Sequence, residues 1–444
     1  MTDAFPNLPP RRLLFAVGGD HLGQWVPVAI ARALPDTECS FVGQLWSDGH
    51  LVRAAGFRYR YWPWPRSRSR SMQEAGVPSL LPNHTDFHTR KLAVSALPEQ
   101  VRHAYGMLKT LAAQEFDRFQ PDAVISLNAD LALSQLLDDL ARARGIPAVG
   151  LQTTFLRQAL LIHTDGAQWW QALRDAELPV TAVNKPIHTP ISILKSQRVG
   201  FAHQRSRVWP ARAERLLRAA LGAPSFDSVR GMFATLSRSH SQRLGGFPNL
   251  TTNDIGEHAP TGMVLVALHR PVLQAGDPDW IDLLRFALAV TPADWPLVVR
   301  PHPAEPGRPL PDDLNQALTN RGVRVSRPGH GASLAHLLQT ARLTITLNSA
   351  TGMQALLAGV PTVTLAPAFY ARPSMALAAD FTKPHVLQAL LAHGDLPKPD
   401  VPAVLAFARW IEVSRSATLP PISDAGAVAS ELAQRICLLL DGQQ

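Results

Sequence analysis

Apolar, β-branched runs that stop abruptly at polar residues recur along the chain, with longer segments of helical spacing between them. The clearest runs lie at 13–17, 121–128, 264–268, 297–300 and 343–347. Continuous runs of this kind are typical of strands that are buried on both faces of a parallel sheet. The alternation of strand and helix with short turns therefore predicts a doubly wound α/β fold.

The alternation is interrupted between residues 165 and 250, where helical segments rich in Arg and Trp replace it. A chain of 444 residues is long enough for two domains of ordinary size. We therefore predict an N-terminal Rossmann-like domain with a helical extension at 1–250, and a second Rossmann-like domain at 251–385. Residues 386–444 are predicted to form a helical tail that packs back on the cleft between the two domains.

The composition indicates a globular protein with an anionic partner. Hydrophobic residues make up 46% and charged residues 18% of the chain, which excludes a disordered protein. The formal net charge of +8 favours nucleic acid, a membrane surface or an acidic glycan. Arg residues interleave with aromatic residues at 57–71, a pattern that can track a nucleic-acid backbone. Because no RNP, KH or helix-turn-helix pattern accompanies it, nucleic acid is the weakest of these partners, and we favour an anionic glycan or lipid headgroups.

The cysteine pattern and the N-terminal residues favour a cytoplasmic protein. Cys39 and Cys437 lie far apart, and neither belongs to a CxxC spacing, so we predict no metal centre and no disulfide framework. The N-terminal residues show no signal-peptide pattern, and no apolar run is long enough to span a bilayer. We also expect no cofactor.

One predicted strand of the second domain ends in residues that suit anion binding. The run at 297–300 ends in Arg300 and is followed by His302, Pro303 and Glu305. Ligands of open α/β sheets bind at the carboxyl ends of strands, and Arg and His side chains donate hydrogen bonds to anions. Taken alone, a His after a strand is most often an ordinary loop residue.

A second predicted strand, at 343–347, is followed by Asn348, Ser349, Thr351 and Gly352. We expect a helix to begin there, and the N–H groups and hydroxyls of such a helix start form a ready phosphate site. A Ser before a helix is most often only an N-cap, so the argument depends on the two motifs lying in one sheet. Together they predict a nucleotide-sugar site in the second domain.

Further polar residues follow predicted strands in both domains. A Gly-rich turn after the run at 13–17 carries Asp20 and His21, which are our candidates for the catalytic base. This turn matches neither the GxGxxG fingerprint nor a Walker loop, and the alternative is a plain turn. The other candidates for cleft or acceptor contacts are Asn128, Gln152, Arg157, His269 and Arg270.

Four blocks, taken in order, resemble the capsule polysaccharide biosynthesis proteins of the β-Kdo transferase type. They are Asn128 with the helix leading to 141–147, the segment 150–157, Arg300-Pro-His-Pro-Ala-Glu305, and Asn348 to Pro361 continued by Ala368-Phe-Tyr370. The resemblance implies a GT-B fold, CMP-Kdo as donor, and transfer of Kdo to a lipid acceptor at the inner face of the inner membrane. It also implies that His302 and Pro303 contact the CMP-sugar, that Ser349 and Thr351 hold its phosphate, and that no metal is required.

We therefore predict a glycosyltransferase of capsule or surface-polysaccharide biosynthesis that takes a Kdo-like sugar from a CMP-activated donor. Its acceptor would be lipid-linked or an anionic glycan, with a peripheral contact to the membrane. Two alternatives stay open. The first loop, with Gly18, Gly19 and Gly23, resembles that of inverting transferases that use UDP-sugars. Gln152 stands where the family commonly has an acidic residue, which motivates a non-catalytic GT-B-like protein that binds a glycan or a partner.

Overall fold

The computed structural model of the protein describes fourteen stretches of the chain. They are residues 11–17, 21–44, 46–62, 99–127, 132–153, 159–163, 171–176, 255, 258–268, 278–301, 310–327, 332–412, 416–418 and 425–441. The structural statements that follow concern these residues. The predicted helical extension at 165–250 lies outside them, apart from one short helix at 171–175.

Thirteen strands and twelve helices are described. The strands are β1 (Arg12–Val17), β2 (Glu38–Gly43), β3 (Arg58–Tyr61), β4 (Ala123–Leu127), β5 (Ala148–Thr153), β6 (Ala159–His163), β7 (Met263–Ala267), β8 (Leu297–Arg300), β9 (Arg324–Val325), β10 (Ala341–Thr346), β11 (Thr362–Thr364), β12 (Leu377–Ala378) and β13 (Ser416–Thr418). The helices are α1 (His21–Arg32), α2 (Trp46–Ala54), α3 (Glu99–Phe119), α4 (Ala132–Ala143), α5 (Gln171–Asp175), α6 (Trp280–Val290), α7 (Asp312–Asn320), α8 (Leu334–Thr340), α9 (Ala350–Leu357), α10 (Pro384–His393), α11 (Val401–Trp410) and α12 (Ala425–Leu440).

The first sheet has the strand order β3-β2-β1-β4-β5-β6-β13. Strands β1 to β5 pair in parallel, whereas β6 runs antiparallel to β5, and β13 runs antiparallel to β6. The chain order reverses between β1 and β4, which makes that gap the topological switch point of a Rossmann-like sheet.

Both faces of the first sheet are buried, as continuous apolar strands require. Alternate residues of β1 point to opposite sides, because successive side chains of a strand do so. Leu13 and Phe15 pack with α1 and α12, whereas Leu14 packs with α3 and α4. The sheet is therefore doubly wound, and its helices cover a core on each side.

The second sheet repeats this plan with every strand parallel. Its order is β12-β11-β10-β7-β8-β9, so its switch point lies between β7 and β10. One face packs against α6, α7 and α10, and the other packs against α8 and α9. Two doubly wound sheets in one chain, with a helical C-terminal segment, confirm the predicted fold class.

The C-terminal segment returns to the first sheet. Strand β13 extends the edge of that sheet beyond β6, and helix α12 packs against α1. An ion pair between Arg11 and Asp441 joins the two ends of the described chain. The segment contains a short strand, β13, although residues 386–444 are predicted to be helical. No helix among the described residues is long and apolar enough to cross a membrane.

Candidate functional site

The carboxyl ends of β7 and β10 meet at the switch point of the second sheet. Thr346, the last residue of β10, is buried, and its hydroxyl donates a hydrogen bond of 2.9 Å to the carbonyl of Ala267, the last residue of β7. This bond fixes the two strand ends against each other. Open α/β sheets bind ligands at this position.

Helix α9 begins directly after β10, at this switch point. Ser349 is its N-cap, with an extended backbone and a side-chain oxygen that accepts a bond of 3.1 Å from the N–H of Thr351. Ser349 is only 4% exposed, whereas the side chains of Asn348 and Thr351 are partly exposed. The predicted helix start is thus present at the carboxyl end of the sheet.

The helix start is held from beneath by Tyr370. The Tyr370 hydroxyl donates a bond of 2.6 Å to the carbonyl of Ser349, and its ring is fully buried. A Cβ atom on Gly352 would lie 2.2 Å from the Tyr370 hydroxyl oxygen, so only glycine lets the ring approach this turn of the helix. Burial raises the pKa of Tyr370 well above its ordinary value, which keeps the hydroxyl a donor. Sequence reasoning noted Tyr370 only as part of a motif and missed this role.

Arg300 ends β8, which is not adjacent to β10, the strand that precedes α9. It therefore lies one strand further from the switch point than a direct contact with the start of α9 would require. Strand β7 separates β8 from β10, and the Arg300 guanidinium donates 2.9 Å to the Ser326 hydroxyl and 3.4 Å to the Ala332 carbonyl. Burial lowers the pKa of Arg300. In this structure Arg300 therefore ties β8 to the residues that precede α8.

The first sheet presents its own switch point between β1 and β4. His21 is the first residue of α1, the helix that follows β1 in the chain, and Gln152 lies in β5, next to β4. The remaining predicted site residues lie outside the described residues, as does the catalytic candidate Asp20. They are Asn128, Arg157, His269, Arg270, His302, Pro303 and Glu305.

The first sheet also contains a buried pair of polar residues near its switch point, which the sequence did not predict. The Ser126 hydroxyl in β4 donates to the carboxyl oxygens of Asp138 in α4, at 3.1 and 3.3 Å. Both side chains are buried. The only sequence signal was a polar residue at an apolar position of each element. In the part of the chain that the structure describes, no cluster of three His, Cys, Asp or Glu residues could hold a metal ion.

Residues 272–382 match the sequence profile of a family described as capsule polysaccharide biosynthesis protein. The predicted resemblance to this family is confirmed over that segment. The segment spans β8 to β12, and so it contains Arg300, the start of α9 and Tyr370. No curated protein sequence shows significant similarity to the chain.

Several solved structures resemble about three quarters or more of the chain at low similarity. The β-Kdo 2,7 transferase KpsC of Thermosulfurimonas dismutans is 13% identical over 74% of this chain and 88% of its own, with a TM-score of 0.35. The glycotransferase of kitacinnamycin is 14% identical over 97% and 99%, with a TM-score of 0.33. The UDP-GlcNAc 2-epimerase of Neisseria meningitidis is 10% identical over 96% and 99%, with a TM-score of 0.28. These similarities add nothing to the fold that the two sheets establish.

Proposed function

We propose that the protein is a glycosyltransferase of capsule or other surface-polysaccharide biosynthesis, and that its donor phosphate binds at the start of α9. One observation carries this proposal. The helix start at 349–352 lies at the switch point of the second sheet, inside the segment that matches the capsule family. A helix start at such a position offers N–H groups and a positive dipole end to an anion.

The donor is proposed to be a nucleotide-activated sugar, with a CMP-activated, Kdo-like sugar as the first choice. Departure of the nucleotide breaks the bond between the anomeric carbon and a phosphate oxygen, so negative charge grows on that phosphate. Backbone N–H groups of α9 and the Thr351 hydroxyl would stabilise this charge. His269 and Arg270 follow β7 in sequence and His302 follows β8, so all three extend the proposed donor site.

The acceptor is proposed to bind at the first sheet. Its hydroxyl oxygen forms the new bond to the anomeric carbon and must lose its proton to a base. His21 opens α1 beside the first switch point, and Asp20 precedes it, so these two residues are the proposed bases. Asn128, Gln152 and Arg157 are proposed to contact the acceptor, which is an anionic or lipid-linked glycan at the cytoplasmic face of the membrane.

A thermal-shift comparison of CMP, UDP, GDP and buffer tests the donor assignment. A ligand at 100 times its dissociation constant stabilises the folded state by about 2.7 kcal/mol, which gives a clear shift. Ser349→Ala should abolish most of that shift. Ser333→Ala is a matched control, because Ser333 caps the neighbouring helix α8 through the N–H of His336 at 3.2 Å. Both variants should lose about 1 kcal/mol of stability, but only the first should lose nucleotide binding.

The outcomes separate the alternatives. A shift with CMP alone supports the Kdo-like donor, and a shift with UDP alone moves the assignment to a UDP-sugar transferase. If no nucleotide shifts the protein and no donor is hydrolysed, the non-catalytic alternative replaces the transferase. The proposed base is rejected if Asp20→Asn and His21→Ala both keep full turnover.

A further inference from the structure

Trp46 is an exposed aromatic residue at the ligand edge of the first sheet. It opens α2, close after the carboxyl end of β2, and 63% of its surface is exposed. Trp is usually well buried, because its ring carries a large apolar surface. Core packing does not explain an exposed Trp at the edge where α/β sheets bind ligands.

Arg53 completes a mixed aromatic and cationic surface with Trp46. Its guanidinium carbon lies 6.0 Å from the centre of the Trp46 ring and 5.5 Å from the centre of the Tyr59 ring. Helix side chains lean towards the helix N-terminus, so the Arg53 side chain reaches from the last turn of α2 towards Trp46. The charge is thereby brought beside the exposed ring.

Tyr59 provides a rigid floor for this surface. The side chain is buried in β3, and a Cβ atom on Gly49 would lie 2.3 Å from its ring. The ring therefore packs directly against the backbone of α2. Since Arg53 lies against both rings, its side chain loses little further freedom when it binds an anion.

The position of this surface has a counterpart in the second sheet. Strand β2 is adjacent to β1, as β8 is adjacent to β7, and each lies one strand from its switch point. Neighbouring strands are about 4.8 Å apart, so the carboxyl end of β2 lies beside the carboxyl end of β1. In the second sheet, the corresponding strand end carries Arg300 and precedes His302.

We propose that Trp46 and Arg53 form a subsite for a carboxylate-bearing sugar of the acceptor. The apolar face of the sugar ring packs on the Trp46 indole, and the carboxylate pairs with the Arg53 guanidinium. This inference rests on the proposed function, because it assigns the acceptor, but it concerns a surface that donor binding does not use.

A carbohydrate fits this surface better than a membrane does. Among the described residues, the exposed large apolar side chains are Trp46, Leu51 and Val386. Val386 lies in α10, which packs on the second sheet. A membrane-bound helix needs a broad apolar face, whereas one ring beside one cation suits a single charged sugar.

Isothermal titration of the full chain with trigalacturonic acid tests the subsite, with maltotriose as the neutral probe. We expect the wild type to bind trigalacturonic acid, and Trp46→Ala and Arg53→Ala to weaken that binding at least tenfold. Arg342→Ala is the matched control. Arg342 lies over the Trp295 ring at 4.4 Å, near the amino end of β10, so this variant breaks a similar pair far from the carboxyl ends of the strands and should bind normally.

Four results would overturn the proposal. They are no binding of trigalacturonic acid by the wild type, unchanged binding by both variants, equal binding of maltotriose, and retention on phosphatidylglycerol vesicles that is lost in Trp46→Ala. Nucleotide thermal shifts of the same proteins keep the two proposals separate. If Trp46→Ala loses only the glycan, the subsite stands, and if the wild type binds the glycan but no nucleotide, the donor assignment fails alone.

Discussion

The two sheets share one strand order, yet they use equivalent residues differently. Strands β4 and β10 occupy the same place in the order and end in similar sequences, Ile-Ser-Leu-Asn at 125–128 and Ile-Thr-Leu-Asn at 345–348. In the second sheet the Thr346 hydroxyl bonds to the neighbouring strand at Ala267. In the first sheet the Ser126 hydroxyl bonds instead to the carboxyl group of Asp138 on α4.

This difference decides where each following helix is anchored. Helix α4 is anchored in its second turn, through Asp138. Helix α9 is anchored in its first turn, through the Ser349 cap and the Tyr370 hydroxyl. A fixed first turn gives an anion a preorganised set of donors. The same topology and similar strand sequences therefore anchor the following helix at different turns, because the residues that contact the helix differ.

The largest effect is expected from removing the anchor of α4. Asp138→Ala should lower the free energy of unfolding by about 3 kcal/mol. The variant removes the hydrogen bond to the buried carboxyl group, and the Ser126 hydroxyl loses this acceptor. Urea denaturation measures the loss. Asp138→Asn keeps an acceptor oxygen and should cost much less. Equal losses in the two variants would show that packing, and not the Ser126 bond, anchors α4.

Gly352→Ala should disturb the second anchor. Alanine favours a helix over glycine by about 1 kcal/mol, but forcing a methyl group against Tyr370 costs about 3 kcal/mol. The net loss of about 2 kcal/mol should appear in urea denaturation, together with loss of the nucleotide thermal shift. The double variant that also carries Tyr370→Phe lacks the hydroxyl oxygen, which is the atom nearest to the new methyl group. It should recover part of the lost stability. If Gly352→Ala instead raises the free energy of unfolding, the Tyr370 ring moves aside freely and this prediction is wrong.

Tyr370→Phe alone should cost about 1.5 kcal/mol, because the Ser349 carbonyl loses the buried hydroxyl donor and keeps only the N–H of Gly352 at 2.9 Å. The same variant should weaken nucleotide binding severalfold, since the first turn of α9 is less firmly held. Ser126→Ala is the matched control in the first sheet, where it should lower stability by a similar amount. If Ser126→Ala weakens nucleotide binding equally, the two switch points are not independent.

The smallest effect is a pH dependence that belongs to the first sheet. Burial raises the pKa of Asp139 in α4 from 3.8 to about 6, with Arg142 opposing the shift. The folded protein thus keeps this proton to a higher pH than the unfolded chain does. Stability contributed by this group is present below pH 4 and is lost as the pH rises to about 6, by about 1 kcal/mol after solvent screening. Urea denaturation from pH 4 to pH 7 should show this fall in the wild type, and Asp139→Asn should flatten it.

Long apolar strands and capped helices were predictable from local pattern. The run at 297–300 is a strand with those bounds, and α9 begins at Ala350, close to the predicted start. Strands β6, β12 and β13 were missed, because they are short, and pairing to distant segments defines them. The Rossmann-like order was predictable in kind, since alternating strands and helices favour it.

The contacts at the candidate site were predictable only where a residue acts through its own neighbours in sequence. Ser349 caps the helix that follows it, so the pattern identified it. Tyr370 contacts Ser349 from 21 residues away, and Arg300 bonds to Ser326 and Ala332, which lie 26 and 32 residues further along the chain. Such contacts depend on the tertiary arrangement, and no local pattern encodes them.

The returning C-terminal segment has a consequence for how the protein is made. Domains generally fold as units during synthesis, with the N-terminal one first. Here the edge of the first sheet is completed by β13, and its core contains Leu432, Ile436 and Cys437 of α12. The first sheet therefore leaves the ribosome long before its last strand and its covering helix do. A nascent chain would expose the β6 edge, and the part of the apolar face that α12 covers, throughout translation of the second sheet.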